Sequence, residues 1–228
     1  MLGRLGLAAA GAWVGYAWVA HLATPLCVHR GSSAAGRSIA LTFDDGPDPE
    51  WTPRVLALLA TRGVRGTFFL IGERAARAPE TVRAMAAAGH EVANHSWSHR
   101  SLWLCGPRRT AEEIDRAHAT LTALAGAPPR LFRPPWGMVN AAMFPLLRAR
   151  GVRPVFWSIQ PEALRPVPAE AQTAHVVRRA HPGAIVDLHD AEGTRGAPAR
   201  LFDALPGMID GLRGAGYEFT TVSALLAA

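Results

Sequence analysis

Two adjacent carboxylates, Asp44 and Asp45, end an apolar run and lead into Gly46-Pro47. Neighbouring strand residues point to opposite sides, but a turn relaxes that rule and can aim both acids into one pocket. The ordinary alternative is a solvated Asp-Gly turn that caps a helix. A second group lies downstream, where Asn94-His95-Ser96-Trp97-Ser98-His99 spaces two imidazoles four residues apart. If that loop makes one helical turn, both rings share a face and chelate a single cation. Two His and one Asp form an open three-ligand site, which leaves a position for water as catalytic zinc requires. Arg133 before Pro134-Pro135 places a guanidinium at the end of another apolar run. Within reach of a carboxylate, it lowers that group's pKa and fixes its orientation. His189 lies between Asp187 and Asp190 at the end of a fourth run. Taken singly, Arg133 also reads as a surface residue and His189 as a structural histidine.

These residues need a scaffold that brings strand ends together. Apolar runs at 38–43, 67–71, 91–94, 131–133, 155–158, 184–188 and 217–221 read as strands. Amphipathic patterns at 53–61, 79–88, 110–124, 141–150, 169–180 and 199–211 read as the helices between them. This alternation predicts an α/β fold, a closed or nearly closed parallel barrel with catalytic side chains at the carboxyl ends of its strands.

With 228 residues, 49% hydrophobic and 18% charged, the chain is globular rather than disordered. All 24 basic residues are Arg, against 18 acids. They are scattered along the chain, so the net charge of +6 does not mark a nucleic-acid-binding face. Two cysteines, Cys27 and Cys105, cannot build a disulfide framework.

Residues 5–28 contain only His21 as an ionisable side chain, which is long enough for a transmembrane helix. Arg4 precedes the segment and no Ala-x-Ala site closes it, so an uncleaved anchor is preferred to a signal peptide. A buried Ala-rich first helix is the alternative. The expected organisation is an anchor or signal segment over 1–30, a Gly/Ser-rich linker over 31–37 and one catalytic domain over 38–228. The expected location is the cell membrane, single-pass, with the catalytic domain outside the cytoplasm.

Taken together, the four motifs Thr42-Phe43-Asp44-Asp45-Gly46-Pro47, His95-Ser96-x-x-His99, Arg133-Pro134-Pro135-Trp136-Gly137 and Leu188-His189-Asp190 resemble the polysaccharide deacetylases of carbohydrate esterase family 4. That family shares the NodB homology domain, and the likeness runs from about Ser38 to Leu225. The resemblance implies a distorted (β/α)7-type barrel, here with an N-terminal hydrophobic helix. It also implies a divalent metal, Zn2+ or else Co2+ or another divalent ion, held by Asp45, His95 and His99. Asp44 would be the general base, His189 the general acid and Arg133 the partner that positions Asp44. The Trp136 backbone N–H would donate to the oxyanion. Pro135, Trp136, Trp157 and Asp187 are expected around the substrate, an N-acetylated glycan. Trp51, Trp97 and Trp103 read equally as groove or core residues.

The sequence departs from the family in two places. Gln160-Pro161-Glu162-Ala163-Leu164 stands where the family has Asp-x-x-Asp-Trp, and Asp187 replaces a Leu two residues before the catalytic His. Asp187 shares a strand face with His189, so its charge is expected to keep that imidazole protonated. The alternative functions are a hydrolase of another amide or an O-acetyl ester, and a weakened barrel that only binds glycan.

Overall fold

A computed structural model of the chain describes residues 11–32 and 36–228. The described residues form seven strands: β1 Ser38–Asp44, β2 Thr67–Leu70, β3 Glu91–Asn94, β4 Leu131–Phe132, β5 Arg153–Pro154, β6 Ile185–His189 and β7 Glu218–Phe219. They pair in parallel in the order β5-β4-β3-β2-β1-β6, and β7 joins the first residues of β1. The sheet curls into a half-barrel. Helices flank it: α1 over residues 11–18, α2 Trp51–Thr61, α3 Gly72–Arg77, α4 Pro79–Ala87, α5 Pro107–Ala125, α6 Met143–Ala149, α7 Ala169–Arg179 and α8 Ala197–Gly214, while α9 Val222–Ala227 packs Val222 and Leu225 with the inward-facing residues of the sheet.

Strand alternation divides the sheet into two faces. Ile39, Leu41 and Phe43 of β1 join Phe68 of β2 and Val186 and Leu188 of β6 beneath the outer helices. The opposite, inward face carries Ala40, Phe69, Ala93, Leu131, Val155 and Ile185, which fill the bottom of the barrel. Thr42, Asp44, Asp187 and His189 continue the inward face of β1 and β6 towards its carboxyl end. The apolar floor thus supports a polar layer that includes the candidates Asp44, Asp187 and His189.

The N-terminal segment differs from the expected spanning helix. Among the described residues no helix is long and apolar enough to cross a membrane. Residues 5–10 of the expected span lie outside the described residues. α1 gives way to a 3-10 segment, Val19–Leu26, which contains Pro25. The polar atoms on this segment find partners on the domain: Trp13 Nε1 donates to Trp103 O, and Tyr16 Oη donates to Cys105 O. Trp103 Nε1 in turn donates to His21 Nε2. Ala20 and Cys27 enter a core cluster with Leu102, Cys105, Phe132 and Phe156. Both cysteines are free and buried. Val28 bridges Val155 and Arg30 bridges Ala184, so residues expected to be anchor and linker lie across the gap between β5 and β6.

β5 also lies earlier than the run 155–158 that announced it. The Val155 and Phe156 carbonyls turn towards the Arg133 guanidinium instead of a neighbouring strand. The backbone that follows makes only isolated bridges, Val28 with Val155 and Ile159 with Val186.

Candidate active site

The β1–β6 register sets Thr42 opposite Asp187 and Asp44 opposite His189. Arg133, immediately after β4, reaches beneath this layer and is fully buried. Its Nη1 donates to Asp44 Oδ1 at 2.7 Å, Thr42 Oγ1 at 2.8 Å and Asp187 Oδ1 at 3.1 Å. Nη2 donates to Phe156 O at 2.9 Å, and the guanidinium lies 4.1 Å from the centre of the Phe69 ring. One cation is therefore shared by two buried carboxylates and clamped by main chain on its far side. Lys has one point charge and cannot reproduce that fork.

Burial raises the Asp44 carboxyl well above its ordinary range, and Arg133 opposes that rise without cancelling it. Burial lowers His189, but the charges of Asp187 and Asp44 outweigh it and hold the imidazole above its usual value. Asp187 itself does not hydrogen-bond His189. Its second oxygen accepts from Gln160 Nε2 at 2.8 Å.

Asp45 leaves the strand with φ 72°, which turns its side chain back to the same cavity. Its Oδ1 lies 3.4 Å from His95 Nε2 and 3.0 Å from His99 Nε2. The His95–His99 loop does not make the expected helical turn, since Ser96 and His99 both have positive φ. Side chains stabilise this irregular path. Asn94 Oδ1 accepts from Ser96 N, Asn94 Nδ2 donates to Ile114 O, and buried Glu113 accepts from both Ser98 N and Ser98 Oγ. His95 Nδ1 lies 2.7 Å from Arg133 O; only a protonated nitrogen bonds a carbonyl, which leaves Nε2 with its lone pair.

The three donors suit a divalent cation. Asp45 Oδ1 is buried and receives no hydrogen bond of acceptable geometry, although both imidazoles are close. Ligands about 2.1 Å from a tetrahedral zinc lie roughly 3.4 Å from one another, close to the separations found. Burial would raise the Asp45 carboxyl, but the closely placed His95 and His99 imidazoles hold it well below the ordinary range. Burial lowers His99, despite the pull of Asp45. A charged carboxylate and neutral imidazoles are the forms that bind metal.

The cavity above these residues measures about 330 Å³. Asp44, Asp45, His95, His99, Trp136, Trp157, Asp187 and His189 all line it, while Arg133 lies below. Pro135 does not line it: it is turned inward at the start of a 3-10 turn, Pro135–Gly137, and Pro134 meets the cavity in its place. Trp136 has φ 60° and is half exposed, with its ring 5.1 Å from that of His99. Its N–H has no acceptor among the described residues. Trp51 packs against Arg54 and Phe202, Trp97 against Arg116, and Trp103 against Trp18 and His21, so none of these three lines the cavity. Gly193 was not anticipated. A Cβ there would approach Asp45 Oδ2 to 2.5 Å, so only glycine fits beside this carboxylate.

Asp190 lies behind the first motif, fully buried, and takes a short hydrogen bond from Thr52 Oγ1. A Cβ on Gly46 would stand 2.9 Å from its carboxylate oxygens. Burial pushes its pKa up to about 7. A carboxyl raised in the folded state contributes stability that is full below the unfolded value and is lost as pH rises through the folded one. Chemical denaturation of the wild type should therefore show stability falling between about pH 4 and 7 by roughly 3–4 kcal/mol from this group. The Asp190→Asn variant should lack that component of the slope. An equal slope in both proteins would remove Asp190 as its source.

Residues 31–155 match the family model described as polysaccharide deacetylase. A peptidoglycan-N-acetylglucosamine deacetylase of Bacillus cereus is 37% identical over 190 residues, covering 82% of this chain and 87% of that protein. A chitooligosaccharide deacetylase of a Bradyrhizobium species is 39% identical over 161 residues, 70% of this chain and 74% of its own length. The crystal structure of a peptidoglycan N-acetylglucosamine deacetylase matches with a TM-score of 0.82 at 30% identity, over 88% of this chain and 92% of that one.

Proposed function

The chain belongs to the polysaccharide deacetylase family, and from that premise we propose that it hydrolyses N-acetyl groups on amino sugars of a cell-surface or exported glycan, using a divalent metal. The relatives act, by their names, on peptidoglycan and chitooligosaccharides, and this chain's substrate is taken to be of that class. One observation carries the reading: three metal donors and two proton-transfer groups open on the same cavity.

Asp45, His95 and His99 would hold a divalent ion, which when bound would lower the pKa of water towards about 7 and polarise the acetyl carbonyl. Asp44, held by Arg133, accepts the proton of the attacking water. The Trp136 N–H is free to donate to the oxygen that gains charge as the carbonyl becomes tetrahedral. His189, whose imidazole its acidic neighbours hold above its usual value, protonates the departing amine so that the intermediate does not revert to amide. Asp187 is almost wholly buried, with its oxygens already bound to Arg133 and Gln160. It therefore offers little open charge to an acetyl methyl, which favours the ordinary acetamido substrate over a re-specified one.

The test is acetate release from chitooligosaccharides, peptidoglycan fragments and acetylated xylan, before and after chelation and after adding zinc or cobalt. Release from an N-acetylated glycan, lost on chelation and restored by metal, is expected. Release from xylan alone would assign an ester hydrolase. Indifference to chelation would favour a binding scaffold.

A further inference from the structure

Behind His189 lies a second, much smaller cavity of about 10 Å³, walled by Pro161, Glu162, Gln172, Asp187, His189 and Leu201 among others. About this much probe space holds one water, provided two to four polar groups face it. Glu162 is buried, and its Oε2 accepts from Val167 N at 2.7 Å, Arg200 Nε at 2.8 Å and Gln172 Nε2 at 3.1 Å. Oε1 accepts only from Arg200 Nη2, at 2.7 Å, and so retains a lone pair. Gln172 Nε2 also donates to Val167 O at 2.8 Å, which fixes the amide. The other atom of that amide, Oε1, has no donor among the described residues. Neither ring nitrogen of His189 hydrogen-bonds a described residue. The wall therefore carries unspent capacity on three polar side chains around a space the size of one water.

We propose that a water occupies this cavity and links Glu162 to His189, making Glu162 a positioning residue for the proton donor. The inference rests on the reading of His189 as general acid. Its logic is donor and acceptor arithmetic. Glu162 Oε1 and Gln172 Oε1 can only accept, so the water spends both of its hydrogens on them. Its remaining bond must come from a His189 N–H, which fixes one proton on the ring nitrogen facing this cavity. The opposite nitrogen, towards the substrate, then carries the proton that is given to the amine and is left with a lone pair afterwards. Asp187 supplies charge but no hydrogen bond to the ring, so it cannot set the tautomer. Glu162 stands two residues beyond Gln160, within the stretch where the family pattern has its acid and this chain does not.

The test uses the zinc-loaded full chain. Long-range proton–nitrogen NMR of the His189 side chain should show one neutral tautomer in the wild type and a mixture in Glu162→Gln. A crystal structure at high resolution should show one ordered water within hydrogen-bond distance of Glu162 and His189. In turnover, Glu162→Gln should lower kcat about tenfold, as loss of outer-shell partners does elsewhere, with KM within twofold. If that variant does not fold, Gln172→Leu removes an uncharged amide, with its acceptor and its two donor bonds to Glu162 and Val167, and carries the same tautomer test. A dry cavity, or a His189 tautomer identical in wild type and variant, overturns the proposal. Neither readout needs turnover, so both stand if the deacetylase reading itself fails.

Discussion

Replacing Asp44 by Asn lowers kcat by an expected 10²- to 10⁴-fold, the usual worth of a positioned general base, and leaves bound metal near its wild-type level. Asn keeps the shape of the side chain, and its amide oxygen can still accept from Arg133 Nη1, now 2.7 Å from Asp44 Oδ1. What it loses is the capacity to hold a proton. The charge balance separates this loss from structural damage. In the wild type, one Arg is shared by Asp44 and Asp187, all three of them buried. Neutralising Asp44 leaves Arg133 paired with Asp187, so no charge is stranded and folding stability should not fall. Acetate release, metal content and melting temperature measured on one preparation decide the matter. A kcat within about threefold of wild type would mean that another group takes the proton. Coordinate loss of stability and metal would make Asp44 a scaffold residue.

Much of this arrangement was readable because β-strand alternation is a local rule. Once β1 and β6 are recognised, Asp44 and His189 must share a face with Thr42 and Asp187, and parallel pairing puts them side by side. Arg133 was readable as a cation at a strand end, and its contact with Asp44 follows from the barrel's closure. The His95–His99 loop was only half readable. Its residue types announced a candidate metal site, but its left-handed backbone at Ser96 and His99 depends on Asn94 and on Glu113 of α5, a helix that no local pattern links to the loop. The same holds for Glu162, whose relation to His189 arises from packing between α7, α8 and the end of β6. The described part of the N-terminal segment departs from the long apolar helix expected of it for a related reason. Apolar composition does not distinguish lipid from protein as the covering surface, whereas Trp13, Tyr16 and His21 carry polar atoms that the domain satisfies. Pro135 was misplaced by one residue, because the turn geometry after two prolines decides which ring faces inward.

Removing Asp45 has the opposite signature to Asn at position 44. Asp45→Ala deletes the only anionic donor of the proposed three, and the two imidazoles would have to hold the ion alone. Even an outer-shell partner costs about 10–100-fold in affinity or activity, so losing a first ligand should exceed that. At equal free zinc the variant is expected to retain almost no metal, and activity should fall to the chelated wild-type level without recovery on adding zinc. Stability gives an independent measure. A ligand at 100 times its dissociation constant stabilises the folded state by about 2.7 kcal/mol, so zinc should raise the melting temperature of the wild type and not of Asp45→Ala. Without metal the ranking narrows or reverses, because Asp45 Oδ1 is a buried acceptor with no well-formed hydrogen bond and its removal relieves an unsatisfied group. Asp44→Asn, by contrast, should keep the zinc-dependent rise while losing turnover. If Asp45→Ala kept both zinc and activity, the ion would have to sit elsewhere. The second cluster within ligand distance, Asp44 with Asp187 and His189, would then be the place to look.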